Sequence, residues 1–126
     1  MKPRPLAWNT PTDAGRPHEA SLAASVKTTP IGWGRPGSIS LALTGTPTGT
    51  ITVYVSNDHD PMGTGVSGWN GNWDSINALL SPAIVQPAGS AATYFFDIPL
   101  RPAFIYIDYA RSSGTGTIKG VASQEG

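Results

Sequence analysis

Apolar and polar residues alternate with a period of two along residues 38–56, SISLALTGTPTGTITVYVS. This alternation is typical of β-strands that bury one face. A turn of Gly, Thr and Pro, residues 45–49, separates the two halves, with glycine at each end where positive φ costs least. The pattern predicts a β-hairpin over Ser38 to Ser56. The six apolar residues that it places in the core are Ile39, Leu41, Leu43, Ile51, Val53 and Val55.

The last third of the chain repeats this arrangement. Residues 103–109 (AFIYIDY) and 115–122 (TGTIKGVA) flank a turn of small and polar residues, 110–114, and predict a second hairpin. Both faces of the strand at 103–109 are apolar, so we expect it to be central and covered on both sides. Residues 91–98 (AATYFFDI) predict a further strand, and residues 74–80 one or two helical turns.

Residues 1–37 differ from the rest, because proline recurs at six positions and few apolar residues are periodic. Proline removes a backbone donor and forces the preceding residue towards extended conformations, which disfavours helix. Residues 19–27 predict a strand in preference to a short helix. We interpret the segment as an extended arm that docks on another surface. Its apolar anchors, which would bind a partner, are Leu6, Trp8, Ile31 and Trp33.

Six or seven short strands joined by Gly and Pro turns predict an all-β fold, an antiparallel β-sandwich. We expect a jelly-roll-like sandwich, because the Cys…Trp…Cys spacing of immunoglobulin domains is missing. The predicted organisation is an extended Pro-rich N-terminal arm, residues 1–37, followed by a β-sandwich domain, residues 38–126.

Composition narrows the classes of function. The 126 residues include no cysteine, only 13% are charged, and the formal net charge is zero. A chain with no basic stripe is a poor partner for nucleic acid. No stretch reaches the 18 or more apolar residues of a membrane span, and no secretion signal is visible. We predict neither nucleic-acid nor membrane binding.

Candidate catalytic groups are few. His18 and His59 are the only imidazoles, and no nucleophile, zinc or phosphate-loop motif is present. The cluster at 57–60, Asn-Asp-His-Asp, could hold a metal ion, but these residues are also typical of a turn after a strand, and we favour the turn. We therefore predict a protein that is not an enzyme and that has no cofactor.

Aromatic residues in the long segment between the predicted hairpins suggest a ligand platform. Trp69 and Trp73 could stack on sugar rings, with Asp58 and Asp60 nearby as hydrogen-bonding groups. Alternatively, at least one tryptophan plugs the end of the sandwich, since an indole buries a large apolar area. Both interpretations stay open at the level of sequence.

Four segments follow one another in an order that resembles small virion proteins of tailed bacteriophages. They are GTITVYVSND at 49–58, Trp-Asp at 73–74, PAGSAATYFFDI at 87–98 and FIYIDYARSSGTGTI at 104–118. The likeness covers roughly residues 40 to 118 and leaves the arm uncovered. This chain departs from the pattern in its Pro-Met-Gly-Thr-Gly stretch after Asp60.

The resemblance implies a β-sandwich component of the virus particle. We expect a capsid cement or decoration protein, made in the host cytoplasm and located on the capsid surface, that stabilises the head by bridging major capsid subunits. The resemblance also implies association with itself, as a homotrimer or another homo-oligomer. The alternative hypothesis is a carbohydrate- or receptor-binding β-sandwich module of a phage tail.

Overall fold

The computed structural model describes residues 4–8, 11–13, 16–57, 73–80 and 92–124. In chain order the strands are β1 (Arg4–Pro5), β2 (Pro11–Asp13), β3 (Arg16–Ser21), β4 (Val26–Lys27), β5 (Ile31–Gly32), β6 (Gly37–Gly45), β7 (Thr48–Ser56), β8 (Asp74–Ser75), β9 (Ala92–Ile98), β10 (Phe104–Ser113) and β11 (Gly116–Gln124). A single 3-10 turn, Asn77–Leu79, lies where one or two helical turns were predicted.

These strands form two antiparallel sheets. In the first sheet the order is β2-β3-β11-β6-β9, and β1 pairs with β11; in the second it is β4-β10-β7-β8, and β5 pairs with β10. One cluster of buried side chains combines residues from both sheets. The prediction of an all-β antiparallel sandwich is therefore confirmed.

The strands of each predicted hairpin do not pair with each other. β6 pairs with β11 in the first sheet, and β7 pairs with β10 in the second. The register runs without a shift from Gly37↔Gln124 to Thr48↔Ser113, across the point where the chain changes sheets. The two hairpin predictions are thus wrong in pairing, although the strands themselves are where the alternation placed them. The four strands are one long antiparallel ribbon folded over the core, which is how a jelly roll is wound.

Glycines make the corner of this folded ribbon possible. Gly45 and Gly114 have φ of +89° and +81°, in the left-handed region that favours glycine. The amide of Thr46 donates a 2.7 Å hydrogen bond to the carbonyl of Thr115, so the two turns are bonded to each other. A Cβ on Gly114 would overlap the carbonyl oxygen of Thr46.

The core contains the residues that the alternation predicted. Five of the six predicted side chains on β6 and β7 are buried, and the sixth, Val55, is partly buried against the same cluster. On β10 the inward residues Ile105, Ile107 and Tyr109 are fully buried, and Tyr106 on the opposite face is nearly so. The strand is therefore central, as expected, but its outer face is only partly covered, because Phe104 and Asp108 on either side of Tyr106 are half-buried.

The described residues before residue 37 belong to the sandwich. The amide of Leu6 donates a 2.9 Å hydrogen bond to the carbonyl of Gly120 in the first sheet. The amide of Thr28 donates a 2.9 Å hydrogen bond to the carbonyl of Ile107 in the second. Trp8 and Thr28 form an antiparallel bridge, so this segment joins the two sheets along one side of the sandwich.

The division of the chain into an arm, residues 1–37, and a sandwich, residues 38–126, is therefore wrong for the described part of the arm. The segment is extended, as its prolines indicated, but it is distributed over both sheets. The physical reason is that β10 and β11 each leave one edge unpaired by the ribbon. Short strands of the N-terminal segment supply the missing hydrogen bonds to both edges.

Candidate functional site

The four predicted partner anchors lie in or against the core of their own chain. Leu6, Trp8 and Trp33 keep only 2%, 3% and 7% of their surface exposed, and Ile31 is partly buried against the same cluster. A side chain that is already buried has no surface left to offer a partner. The assignment of Leu6, Trp8 and Trp33 as partner anchors is therefore wrong in this structure, and they stabilise the fold instead, whereas Ile31 keeps part of its surface exposed.

Of the predicted ligand platform, Trp73 lies in the described part of the chain, while Trp69, Asp58 and Asp60 lie outside the described residues. Trp73 precedes β8 and packs edge-on against Tyr106, with ring centroids 4.6 Å apart and planes at 81°. Tyr106 also stacks on Tyr54 of the neighbouring strand, with centroids 5.0 Å apart. The three rings form an aromatic cluster on the outer face of the second sheet, and Trp73 partly covers Tyr106.

Burial and charge shape the electrostatics of this cluster. Burial, then the Asp108 carboxylate, then Tyr54 raise the pKa of Tyr106 to about 12. Burial also raises the pKa of Asp108, and the positive charge of Lys27, its register partner on β4, opposes this rise in pKa. Tyr106 is therefore a neutral hydroxyl at physiological pH, beside a carboxylate that water solvates poorly.

We expect Asp108→Asn to stabilise the protein at pH 7. A carboxyl whose folded-state pKa is raised contributes stability below its unfolded pKa of about 3.9 and loses that contribution as pH rises through the folded value. The neutral amide removes the cost of a half-buried charge, so its advantage should disappear by pH 3. Urea unfolding at pH 7 and pH 3 measures this, with Asp74→Asn at an exposed position as the control. If the Asp108→Asn variant were less stable than the parent at pH 7, the raised pKa of Asp108 in the folded protein would be contradicted.

A second surface, on the outer face of the first sheet, was not identified from the sequence. We call it the Phe95 face. It consists of three rows, each crossing β11, β6 and β9 in register: Ser123–Ser38–Asp97, Val121–Ser40–Phe95 and Lys119–Ala42–Thr93.

The middle row of the Phe95 face is apolar at both ends. Phe95 is 60% exposed and Val121 is 39% exposed, so two large apolar side chains stand in water on either side of Ser40. A shallow groove of about 180 Å³ lies beside this row, lined by residues that include Pro5, His18, Ser40, Ala42, Lys119 and Val121. Exposed apolar side chains beside a shallow groove are typical of a surface that contacts another protein.

The signal for this face was present in the sequence. In residues 93–98, TYFFDI, Phe95 shares a strand face with Asp97, opposite to Phe96. Val121 likewise alternates with buried residues of β11. What the sequence did not show is that β9 and β11 are both neighbours of β6, which brings the two apolar residues into one row.

Among the described residues, no group of three or more His, Cys, Asp and Glu side chains could hold a metal ion. His18 is exposed on β3, where its Nδ1 lies 3.2 Å from the carbonyl oxygen of Leu6. Within the same residues, no helix has the length and apolar character needed to cross a membrane.

Comparison with known proteins identifies no relative. No protein-family model, curated protein or solved structure matches this chain.

Proposed function

We propose that this protein is a structural component of a tailed-phage virion, a cement or decoration protein that stabilises the head by linking major capsid subunits. The observation that carries the proposal is the Phe95 face, an exposed apolar surface suited to protein contact. The order of segments that resembles small virion proteins supports the same assignment. The proposal gives the protein no catalytic role and no cofactor.

The burial of the predicted anchors within their own chain changes the way in which the protein would link capsid subunits. Because Leu6, Trp8 and Trp33 belong to the core, these three side chains are not available to insert into a neighbouring subunit. Links between capsid subunits would instead be made by surfaces of the folded sandwich, repeated at many identical sites on the capsid. Individually weak contacts of this kind become strong through multivalency.

The test is to locate and reconstitute the protein on particles. Tailed particles purified from the source of this sequence are separated into heads and tails and probed with an antibody to the chain. Heads stripped of the protein are then incubated with the recombinant chain. We expect a large, fixed number of copies on heads, saturable rebinding and a higher temperature of head disruption. Presence on tails alone, or absence from particles, would contradict the proposal.

The aromatic cluster of the second sheet favours one other function, the binding of a carbohydrate or receptor glycan. Trp73 and Tyr54 are partly exposed on the outer face, and aromatic rings beside a carboxylate can bind the apolar and hydroxyl groups of a sugar. A glycan array with Trp73→Ala tests this idea, with Leu79→Ala as an exposed apolar control. A signal that is lost only with Trp73→Ala supports glycan binding, whereas absence of any signal argues for the structural role.

A further inference from the structure

The Phe95 face has an arrangement of charge and shape that is complementary to itself. Asp97 and Lys119 are exposed and occupy diagonally opposite corners, with Ser40 at the centre between them. Phe95 protrudes from the middle row beside the column of small side chains on β6. We propose that this face binds the same face of a second copy of the chain, forming a two-fold dimer.

A single two-fold rotation makes both the charges and the shape of the Phe95 face complementary to those of a second copy. In a two-fold dimer the same patch meets itself, so residue i of one copy meets residue j of the other and j meets i. A two-fold axis lying in the contact plane, perpendicular to the diagonal from Asp97 to Lys119, places each Asp97 opposite the other copy's Lys119. Two ion pairs form across the contact.

The same operation also buries the apolar residues. Strands lie about 4.8 Å apart, and residues on one face of a strand are about 6.8 Å apart. With these spacings, the axis carries Phe95 of one copy to a point between Ser40 and Ala42 of the other. Small side chains leave room there for an aromatic ring, and the groove of about 180 Å³ borders the same residues. One docking geometry therefore both forms the two ion pairs and buries the ring of Phe95.

The size of the face sets the expected affinity. The three strands of the Phe95 face, seven to nine residues long, give a contact of roughly 15 Å by 25 Å on each copy. Contacts of this size are typical of weak, transient protein association. We therefore expect reversible dimers with a dissociation constant on the order of tens of micromolar, which attachment to a capsid lattice would strengthen.

This inference rests on the proposed function in one respect, that the Phe95 face is a protein-contact surface. It adds the partner: two copies, each bound to its own capsid subunit by another surface, would link those subunits by pairing with each other. The competing occupant of the face is a capsid subunit itself.

Charge reversal distinguishes the two occupants. Asp97→Lys places two positive charges opposite each other at both corners of the dimer, and Lys119→Asp places two negative charges there. We expect each variant alone to dimerise at least about tenfold more weakly than the parent. Mixed together, the two variants should form heterodimers with affinity near that of the parent, because every corner again joins opposite charges.

Sedimentation velocity over a range of concentrations measures these dissociation constants. Phe95→Ser should also weaken dimers, and circular dichroism checks that each variant is folded. Matched charge reversals outside the Phe95 face, Asp74→Lys and Arg101→Asp, serve as controls and should dimerise like the parent. A parent chain that stays monomeric at about 1 mM, well above the expected dissociation constant, would overturn the inference. So would an oligomer that is unaffected by Phe95→Ser and by both charge reversals on the face.

The fate of the proposed function is measured separately, by binding to stripped heads. If the parent chain is monomeric and Phe95→Ser abolishes head binding, the face docks on the capsid: the dimer is overturned and the structural role stands. If the dimer forms as described but the chain does not bind heads, the structural role fails and the dimer stands.

Discussion

Deletion of residues 1–33 is expected to leave a chain that does not fold. The deletion removes the hydrogen-bonding strands from one edge of β10 and one edge of β11. It also removes buried residues that fill the space between the sheets, namely Leu6, Trp8, Ala20, Leu22, Val26, Thr28 and Trp33. Circular dichroism and cooperative thermal unfolding measure the outcome. If residues 1–33 formed a dispensable arm, residues 34–126 would show strand signal and a sharp transition.

A single substitution in the same segment keeps this prediction testable without removing strands. Trp8→Ala empties a site that is 97% buried and is expected to lower the free energy of unfolding by about 3–5 kcal/mol. That is a large part of the 5–15 kcal/mol that stabilises a typical domain. The control is Leu79→Ala, at a position 57% exposed, which should stay within about 0.5 kcal/mol of the parent. Urea unfolding with equal effects of the two variants would contradict the burial of Trp8.

The second large expected effect is a loss of stability on substitution at the corner of the folded ribbon, where the turns that contain Gly45 and Gly114 meet. Gly114→Ala introduces a Cβ at φ +81° and into the carbonyl oxygen of Thr46, and we expect it to cost about 2–5 kcal/mol of stability. Gly34→Ala is the matched control, because Gly34 has a similar φ of +77° but no neighbouring atom within 4 Å of the new Cβ. The control therefore isolates the cost of positive φ, about 1–2 kcal/mol.

The difference between these two variants is the informative quantity, and thermal or urea unfolding measures it. If Gly114→Ala costs no more than Gly34→Ala, the two turns are not packed together as the bond from Thr46 to Thr115 indicates. The same result would weaken the description of β6, β7, β10 and β11 as one folded ribbon.

Strand positions and the core could be predicted from the sequence, because period-two alternation reports directly which side chains face inward. Ile39, Leu41 and Leu43 are buried for this reason. The pairing of strands could not be predicted in the same way. Two strands that pair within one sheet and two strands that face each other across a core show the same alternation. A Gly/Thr/Pro turn such as residues 45–49 fits both arrangements.

The N-terminal segment was misassigned for a related reason. Its pairing partners on β10 and β11 are roughly 70 to 120 residues away, as in Gly32↔Phe104 and Arg4↔Ala122, so no local pattern reports them. Proline correctly excluded helix, and the bulky residues were correctly expected to be buried. The sequence did not indicate that Leu6, Trp8 and Trp33 are buried by their own chain rather than by a partner.

The candidate interaction surface depends on topology in the same way. Phe95 and Val121 are ordinary members of two strands, and isolated exposed apolar residues have no special meaning. They form a surface only because β6 lies between β9 and β11 and carries Ser40 between them. The alternation in the sequence predicts that both side chains point outward, but only the strand order shows that they lie close together.

Amide hydrogen exchange in the N-terminal segment tests most directly the central claim that this segment is part of the sandwich. The amides of Leu6, Thr28, Thr29 and Trp33 donate hydrogen bonds to the carbonyls of Gly120, Ile107, Ala7 and Ala103. If the claim is correct, these four amides exchange as slowly as those at the centres of β6 and β11, since all are released by the same global unfolding. Exchange of the four at rates near those of an unfolded chain, while β6 and β11 remain protected, would contradict it.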